Sequence, residues 1–316
     1  MSIEVIRPGA LSSFQDLGRG GYQHLGVPAN GAMDERAHRL ANALVGNAPG
    51  EATLEITLTG PTLRFHRAAV IAVCGADLDA WLDEQPLPRE RAVVAPVGST
   101  LSFERRRSGV RAYLAVRGGF ELAMPMGSAS TALRAGYGGH RGRALRRGDT
   151  LTMRERYPSF RERPDYGEVF APGVLRAAGE PLRVVAGREW ARFTPHAQAA
   201  LLNTVYRVSP QSDRMGYRLE GLPLSLLEPF EAASEALSCG TVQVPPEGQP
   251  IVLMADRQTT GGYPKIAQVC SVDLPRLAQT LPGESIAFER VELAEAQRLA
   301  LAQARGFDTW ERRDAH

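Results

Sequence analysis

The sequence predicts a mainly β protein made of barrel or sandwich domains with a few short helices. Three observations carry this. Short, often alternating apolar runs bounded by Gly or Pro recur along the chain, as strands do. Only three stretches have a helical period. Two strand-like segments, GSTLSFER at 98–105 and GESIAFER at 283–290, echo one another, as related halves would. A doubly wound sheet would need strands alternating regularly with long helices, and that rhythm is missing.

In the first half, strands are expected at Ser2 to Ile6, Thr53 to Leu58, Thr62 to Phe65, Ala69 to Val73, Thr100 to Glu104 and Arg111 to Val116. In the second they are expected at Leu182 to Val185, Thr204 to Val208, Pro250 to Met254, Ile266 to Val269 and Ser285 to Phe288. A helix is expected over Asp34 to Val45. It places Ala37, Leu40, Ala41 and Leu44 on one face, with Asp34 as a cap and Gly46-Asn47 as a stop. Pro195 to Leu202 and Ala294 to Gln303 read as two further helices, and the tail DTWERRDAH is expected to fray. The Pro- and Arg-rich stretch from Arg154 to Gly179 reads as a connector, dividing the chain into domains 1–160 and 161–316. A looser echo pairs DLGRGGY at 16–22 with DRMGYRL at 213–219.

A formal charge of +2 gives no argument for nucleic acid, and no run is long and apolar enough for a membrane helix. The three cysteines, Cys74, Cys239 and Cys270, are dispersed and suggest a reducing compartment. The start MSIEVIRPG does not read as a signal peptide, so a cytoplasmic location is expected. The six histidines form no metal-ligand spacing, and no metal site is assigned.

Four polar, glycine-rich clusters stand out. Residues 12–35 carry Gln15, Asp16, Arg19, Tyr22, His24, Asn30 and Asp34, as a pocket-lining loop or an ordinary solvent loop would. In 117–149, glycines with Ser128, Ser130 and Thr131 could present N–H and hydroxyl donors to an anion, or form a basic surface loop. In 209–221, Asp213, Arg214 and Arg218 either fix a turn or offer an arginine to a substrate carboxylate, and Glu235 could join them as an acid or base. The fourth holds Asp256, Arg257, Gln258, Thr259, Thr260, Tyr263 and Lys265, the last being the only lysine among 37 basic residues. Pro264 restrains the chain ahead of that lysine. The site reading sets a rigidly placed ammonium against a plain surface lysine beside a hairpin turn.

The ordered segments SFQDLGRGGYQHLGVPANGAMD (13–34), ANALVGN (41–47), LEITLTGPTLRF (54–65), RGGF (117–120), SDRMGYRLEG (212–221) and GTVQVPPEGQPIVLMADRQTTGGYPKIAQVCSVDLPRLAQ (240–279) closely resemble one family. It is the family of the C component of the bacterial 5-oxoprolinase, also described as KipA-like or as biotin-dependent carboxyltransferases. The resemblance implies two cyclophilin-like β-barrel domains. It implies work with a KipI-like partner and a LamB/YcsF-like partner, cleaving 5-oxo-L-proline to L-glutamate at the expense of ATP. Relatives on this scaffold move a carboxyl group from biotin to urea or regulate a histidine kinase. One departure is Ala129, where the family usually has Arg between two serines.

On that resemblance the expected catalytic residues are Lys265 and Arg257, for phosphate or oxyanion charge, with Gln258 and Tyr263 orienting and Asp256 orienting or holding Mg²⁺. Substrate binding is expected of Arg214, Asp213, Arg218, Asp16, Arg19, Asn30 and Glu235, with Asp16 a second candidate for Mg²⁺. Nucleotide binding, ATP with Mg²⁺, is expected of Ser128, Ser130, Thr131, Thr259 and Thr260. A biotin-acceptor Met-Lys-Met is missing, so no biotin attached through that motif is expected.

Overall fold

The computed structural model describes residues 2–154 and 173–312. Two compact units emerge: Met1–Arg19, Asn30–Val169 and Phe307–His316 form the first, Gly20–Ala29 and Phe170–Gly306 the second. The boundary expected near residue 160 lies outside the described residues.

The first unit packs a six-stranded sheet and a five-stranded sheet over one core. Ile3, Leu63 and Phe65 come from one sheet, and Phe14, Leu54, Ile71 and Leu114 from the other, all essentially buried. The six-stranded sheet ends on the Gln85–Pro86 strand, where the missing N–H of Pro86 suits an edge. The helix Glu35–Val45 forms as expected: Asp34 accepts the Ala37 N–H at 2.9 Å, and Gly46 takes the left-handed conformation (φ 76°) that stops it. Its Ala37, Leu40, Ala41 and Leu44 face is buried against the Ala69–Asp77 and Ser108–Val116 strands. His38, on the same helix, bonds Thr53 Oγ1 at 2.8 Å through Nδ1 and the Pro49 carbonyl at 3.0 Å through Nε2.

The C-terminal stretch departs from expectation. As far as Arg312 it does not fray but continues one helix, Leu293–Arg312, and residues 313–316 lie outside the described residues. Phe307 and Trp310 are buried with ring centroids 5.6 Å apart, and the Arg39 guanidinium lies 4.6 Å from the Phe307 ring centre. Two aromatics three residues apart share a helix face, and burying them outweighs the polar character around them.

The second unit is a closed barrel of seven strands, in the order Leu182–Ala186, Lys265–Val269, Thr241–Gln243, Ile251–Leu253, Gly216–Glu220, Val205–Val208 and Ser285–Arg290. The last strand returns to the first in a parallel pair, Leu182 opposite Phe288. Arg183 anchors this seam through a buried fork to Asp273, with Nε at 2.9 Å from Oδ2 and Nη2 at 2.7 Å from Oδ1. Both sequence echoes have structural counterparts. Gly98 (φ 84°) and Gly283 (φ 95°) each precede a strand, and Asp16 and Asp213 each accept the N–H two residues on, at 2.8 Å.

His38 supplies a pH test. Burial holds its pKa down to about 4, from an ordinary value of 6.5. The unfolded chain binds this proton on falling below about pH 6.5, whereas the folded chain refuses it until about pH 4. The unfolded state therefore binds more protons in that window, and stability falls as pH drops through it, by up to about 3 kcal/mol. Urea unfolding from pH 7 to pH 4 should show this slope, and His38→Gln should flatten it; an unchanged slope in the variant would assign it to other groups.

Candidate functional site

Lys265 begins a barrel strand, opposite Gln243. It is not an exposed tip on a hairpin turn. Its side chain is only 10% exposed, and its ammonium lies 2.6 Å from Glu235 Oε1 and 3.7 Å from Glu189 Oε2. Glu189 is held in place from the backbone. The Gly187 and Glu189 N–H groups donate to the Ile266 and Lys265 carbonyls, and Glu189 Oε2 accepts the Lys265 N–H at 2.9 Å. A side chain at position 187 would put its Cβ 2.3 Å from the Lys265 carbonyl oxygen, so only glycine permits this wrap. Arg188, largely exposed, reaches the other oxygen of Glu235 at 2.5 Å. Lys265 above all, with Arg188 adding, holds the Glu235 carboxyl below the usual range. Two cations and two anions thus form a charge-neutral cluster, and an incoming anion must compete with Glu235 for the ammonium.

The surrounding frame belongs to the same unit. Glu235–Ala236 and Thr260–Gly261 pair as a two-stranded ribbon, with Glu235 opposite Gly261. Gln23 pins both strands: its Nε2 donates to the Leu237 carbonyl at 2.9 Å and the Thr259 carbonyl at 2.8 Å. Arg257 Nε donates to the same Leu237 carbonyl at 3.2 Å. Gln258, Thr260 and Tyr263 lie around this frame and are exposed, and Thr259 is half-buried. Arg214, expected to meet a substrate carboxylate, instead forks onto Asp256, Nε to Oδ2 at 2.9 Å and Nη2 to Oδ1 at 3.0 Å. Asp256, expected as an orienting group or Mg²⁺ ligand, therefore has both oxygens on Arg214. Asp213 caps its own turn through the Met215 and Gly216 N–H groups, and Arg218 is exposed on its strand.

The remaining candidates lie in the first unit. Asp16 Oδ1 accepts from Gly18 N, Ser128 Oγ and Ser130 Oγ at 2.8, 2.7 and 2.6 Å, and Oδ2 from Ala129 N at 2.6 Å. Thr131 Oγ1 donates to the Phe14 carbonyl at 2.9 Å. The hydroxyls expected at a phosphate are thus buried and turned toward the protein's own acceptors, and they fit neither a nucleotide phosphate nor Mg²⁺. Arg19 is buried too: it donates to Asn30 Oδ1 at 2.9 Å and to the Pro125, Ser128 and Ser130 carbonyls at 3.2, 3.2 and 2.8 Å. Its guanidinium also stands 4.8 Å from the Tyr137 ring centre. Among the described residues no three His, Cys, Asp or Glu side chains converge as metal ligands. The sequence reading missed Gln23, Arg188, Glu189 and Gln243. They are ordinary polar residues in ordinary strands and turns, and only the fold gathers them.

The carboxyltransferase domain model, subdomains A and B, matches residues 25–290. The chain is 40% identical to the C component of the 5-oxoprolinase of Haemophilus influenzae, covering 94% of each chain. It is 39% identical to the Escherichia coli protein of the same name, over 97% of this chain and 96% of that one. Among solved structures, it superposes on the Kluyveromyces lactis urea carboxylase with TM-score 0.88 at 30% identity, covering 98% of this chain and 29% of that one. It also superposes on the urea amidolyase of K. lactis at the same TM-score of 0.88, where it spans 20% of the longer chain.

Removing the ammonium should now cost stability, contrary to what an exposed lysine would imply. Lys265→Met takes the ammonium from between Glu189 and Glu235, leaving both carboxylates to the largely exposed Arg188, and should lower folding stability by about 3 kcal/mol. Adding Glu189→Gln should recover much of that loss. A single variant that unfolds at the wild-type urea midpoint would show that the pairing carries no net weight.

Proposed function

Since the chain belongs to the carboxyltransferase domain family, subdomains A and B, we propose that it serves as the C component of an ATP-dependent 5-oxoprolinase. It would act with a KipI-like and a LamB/YcsF-like partner, in the cytoplasm, to open 5-oxo-L-proline to L-glutamate. The observation that carries this reading is the 40% identity to a protein of that name over nearly the whole of both chains. In such a reaction the lactam carbonyl oxygen is phosphorylated at the expense of ATP, water adds to the carbon, the ring C–N bond opens and phosphate leaves.

This chain's part is electrostatic. Lys265 offers charge to the oxygen that becomes negative once Glu235 yields its 2.6 Å contact, and Arg188 is placed to keep Glu235 as it moves aside. Arg257 and Gln23 hold the ribbon that carries Glu235, while Gln258 and Tyr263 orient the substrate from its exposed side. Arg214 and Asp256 work as a positioning pair. ATP and Mg²⁺ enter at the level of the complex. A second reading, carboxyl transfer from biotin to urea or a related amide, is favoured by the superposition on urea carboxylase. The same charged cluster would then face a carboxylated ureido group.

Reconstitution separates these readings. The purified chain alone should release no glutamate from 5-oxoproline, and adding both partner proteins should restore ATP-dependent release. In that complex Lys265→Met should lower turnover about a hundredfold, equivalent to roughly 3 kcal/mol of transition-state stabilisation. Full turnover by the variant would remove Lys265 from the site. Bicarbonate incorporation into urea with a biotin carrier, in place of glutamate release, would select the second reading.

A further inference from the structure

The Lys265 ammonium is sealed in the closed barrel. Its Nζ is buried, and it stands beside Glu235 and Glu189 without an aligned hydrogen bond to either. A ligand can therefore reach it only if one of these neighbours moves. Glu189 is fixed. It is buried, it accepts the Lys265 N–H, and the backbone around it is tied to the Lys265 strand. Glu235 is placed differently. It follows residues 228–234, which among the described residues form no hydrogen bond, and five of these seven are exposed. Exposed backbone with so few contacts opens at low cost. The segment is pinned at both ends, by the Leu227 N–H to the Arg192 carbonyl at 2.8 Å and the Leu237 N–H to the Thr259 carbonyl at 3.0 Å. Between the pins, the Phe230 ring centre lies 4.0 Å from the Arg192 guanidinium, Glu235 reaches Lys265 and Arg188, and two residues pair with Thr260–Gly261. Gly262 offers the segment no side chain to grip: a Cβ there would stand 2.9 Å from the Ala232 carbonyl oxygen.

We propose that residues 228–236 form a lid over Lys265, latched by Glu235, and that an anionic oxygen of a ligand, carboxylate or phosphate, opens it by taking the place of Glu235 on the ammonium. The hinges are Leu227 and Leu237, and the Phe230–Arg192 stack is a second catch beside the first of them. A neutral ligand would trade an ion pair for a plain hydrogen bond, so the exchange favours an anion. The displaced carboxylate is not stranded, because Arg188 is largely exposed and holds its other oxygen. The inference rests on the Lys265 neighbourhood being the reactive site, and it names the element that gives access to it.

The test uses the full chain with inorganic phosphate and, separately, acetate, each against chloride at equal ionic strength. Amide exchange of the 235–236 ribbon, read by mass spectrometry, follows opening, and calorimetry follows binding. The anion that fits should speed exchange in the wild type, where a ligand bound to a fixed wall would slow it. Which of the two anions does so separates phosphate from carboxylate. Glu235→Gln removes the charge of the latch, and its ribbon should exchange about tenfold faster without ligand. Its affinity for the anion should rise by the same factor, because apparent affinity scales with the open fraction. Phe230→Leu keeps Glu235 but loses the stack on Arg192. It should raise exchange and affinity together by a smaller factor, and it keeps the test open if the first variant misfolds. Equal exchange and affinity in wild type and variants would overturn the proposal. So would anions that slow exchange, or that bind none of these proteins. Opening by an anion in a chain whose reconstituted complex releases no glutamate would keep the lid and discard the hydrolytic reading. Glutamate release with ribbon exchange untouched by either anion would do the reverse.

Discussion

A buried ammonium must be neutralised nearby, and in this protein that requirement organises one end of the second unit. Lys265 is drawn into the barrel wall by its strand, so Glu189 and Glu235 must come to it. Glu189 can do so only because Gly187 lets the chain fold back against the Lys265 carbonyl. Glu235 arrives on a ribbon of two-residue strands, too short to be stable alone. Gln23 and Arg257 hold that ribbon by its carbonyls. The glycine, the ribbon and the glutamine are three different solutions to one electrostatic problem.

Asp16 and Arg19 in the first unit are buried in a different way. Asp16 is surrounded by hydroxyl and N–H donors, and Arg19 by carbonyls and one amide oxygen. Each charge is thus solvated by dipoles of its own backbone and side chains, as water would do it. The 128–131 loop looks like an anion cradle in sequence because serines and threonines around glycine are also what an internal carboxylate attracts. Donors that would hold a phosphate serve equally well to hold Asp16.

Much of the fold was legible in the residues. The helix at 35–45 carried its own cap, stripe and stop, all of them local signals. The strands showed themselves by alternation, and the paired glycine turns before residues 100 and 285 carried through into structure. What escaped was long-range. Ser128 and Asp16 meet across a separation of 112 residues, and Lys265 and Glu189 across 76. Nothing local distinguishes a serine that will face phosphate from one that will face a buried aspartate. Gln243, flanked by Val242 and Val244, looks like the solvent side of an alternating strand, and only closure of the barrel and its ribbon buries it. The tail misled for a simpler reason: its charges dominate the sequence, but Trp310 shares a helix face with Phe307 just before it, and the two rings are buried together.

The solitary lysine has a practical side as well. Amine-directed chemistry, whether acylation, reductive methylation or enzymatic conjugation to a side chain, has a single lysine to find, and that one is enclosed by two carboxylates. Any reagent that does reach it reports on one place in the molecule without competing side-chain signal. A ¹³C-methyl label installed there would be a one-resonance gauge of whether Glu235 has let go.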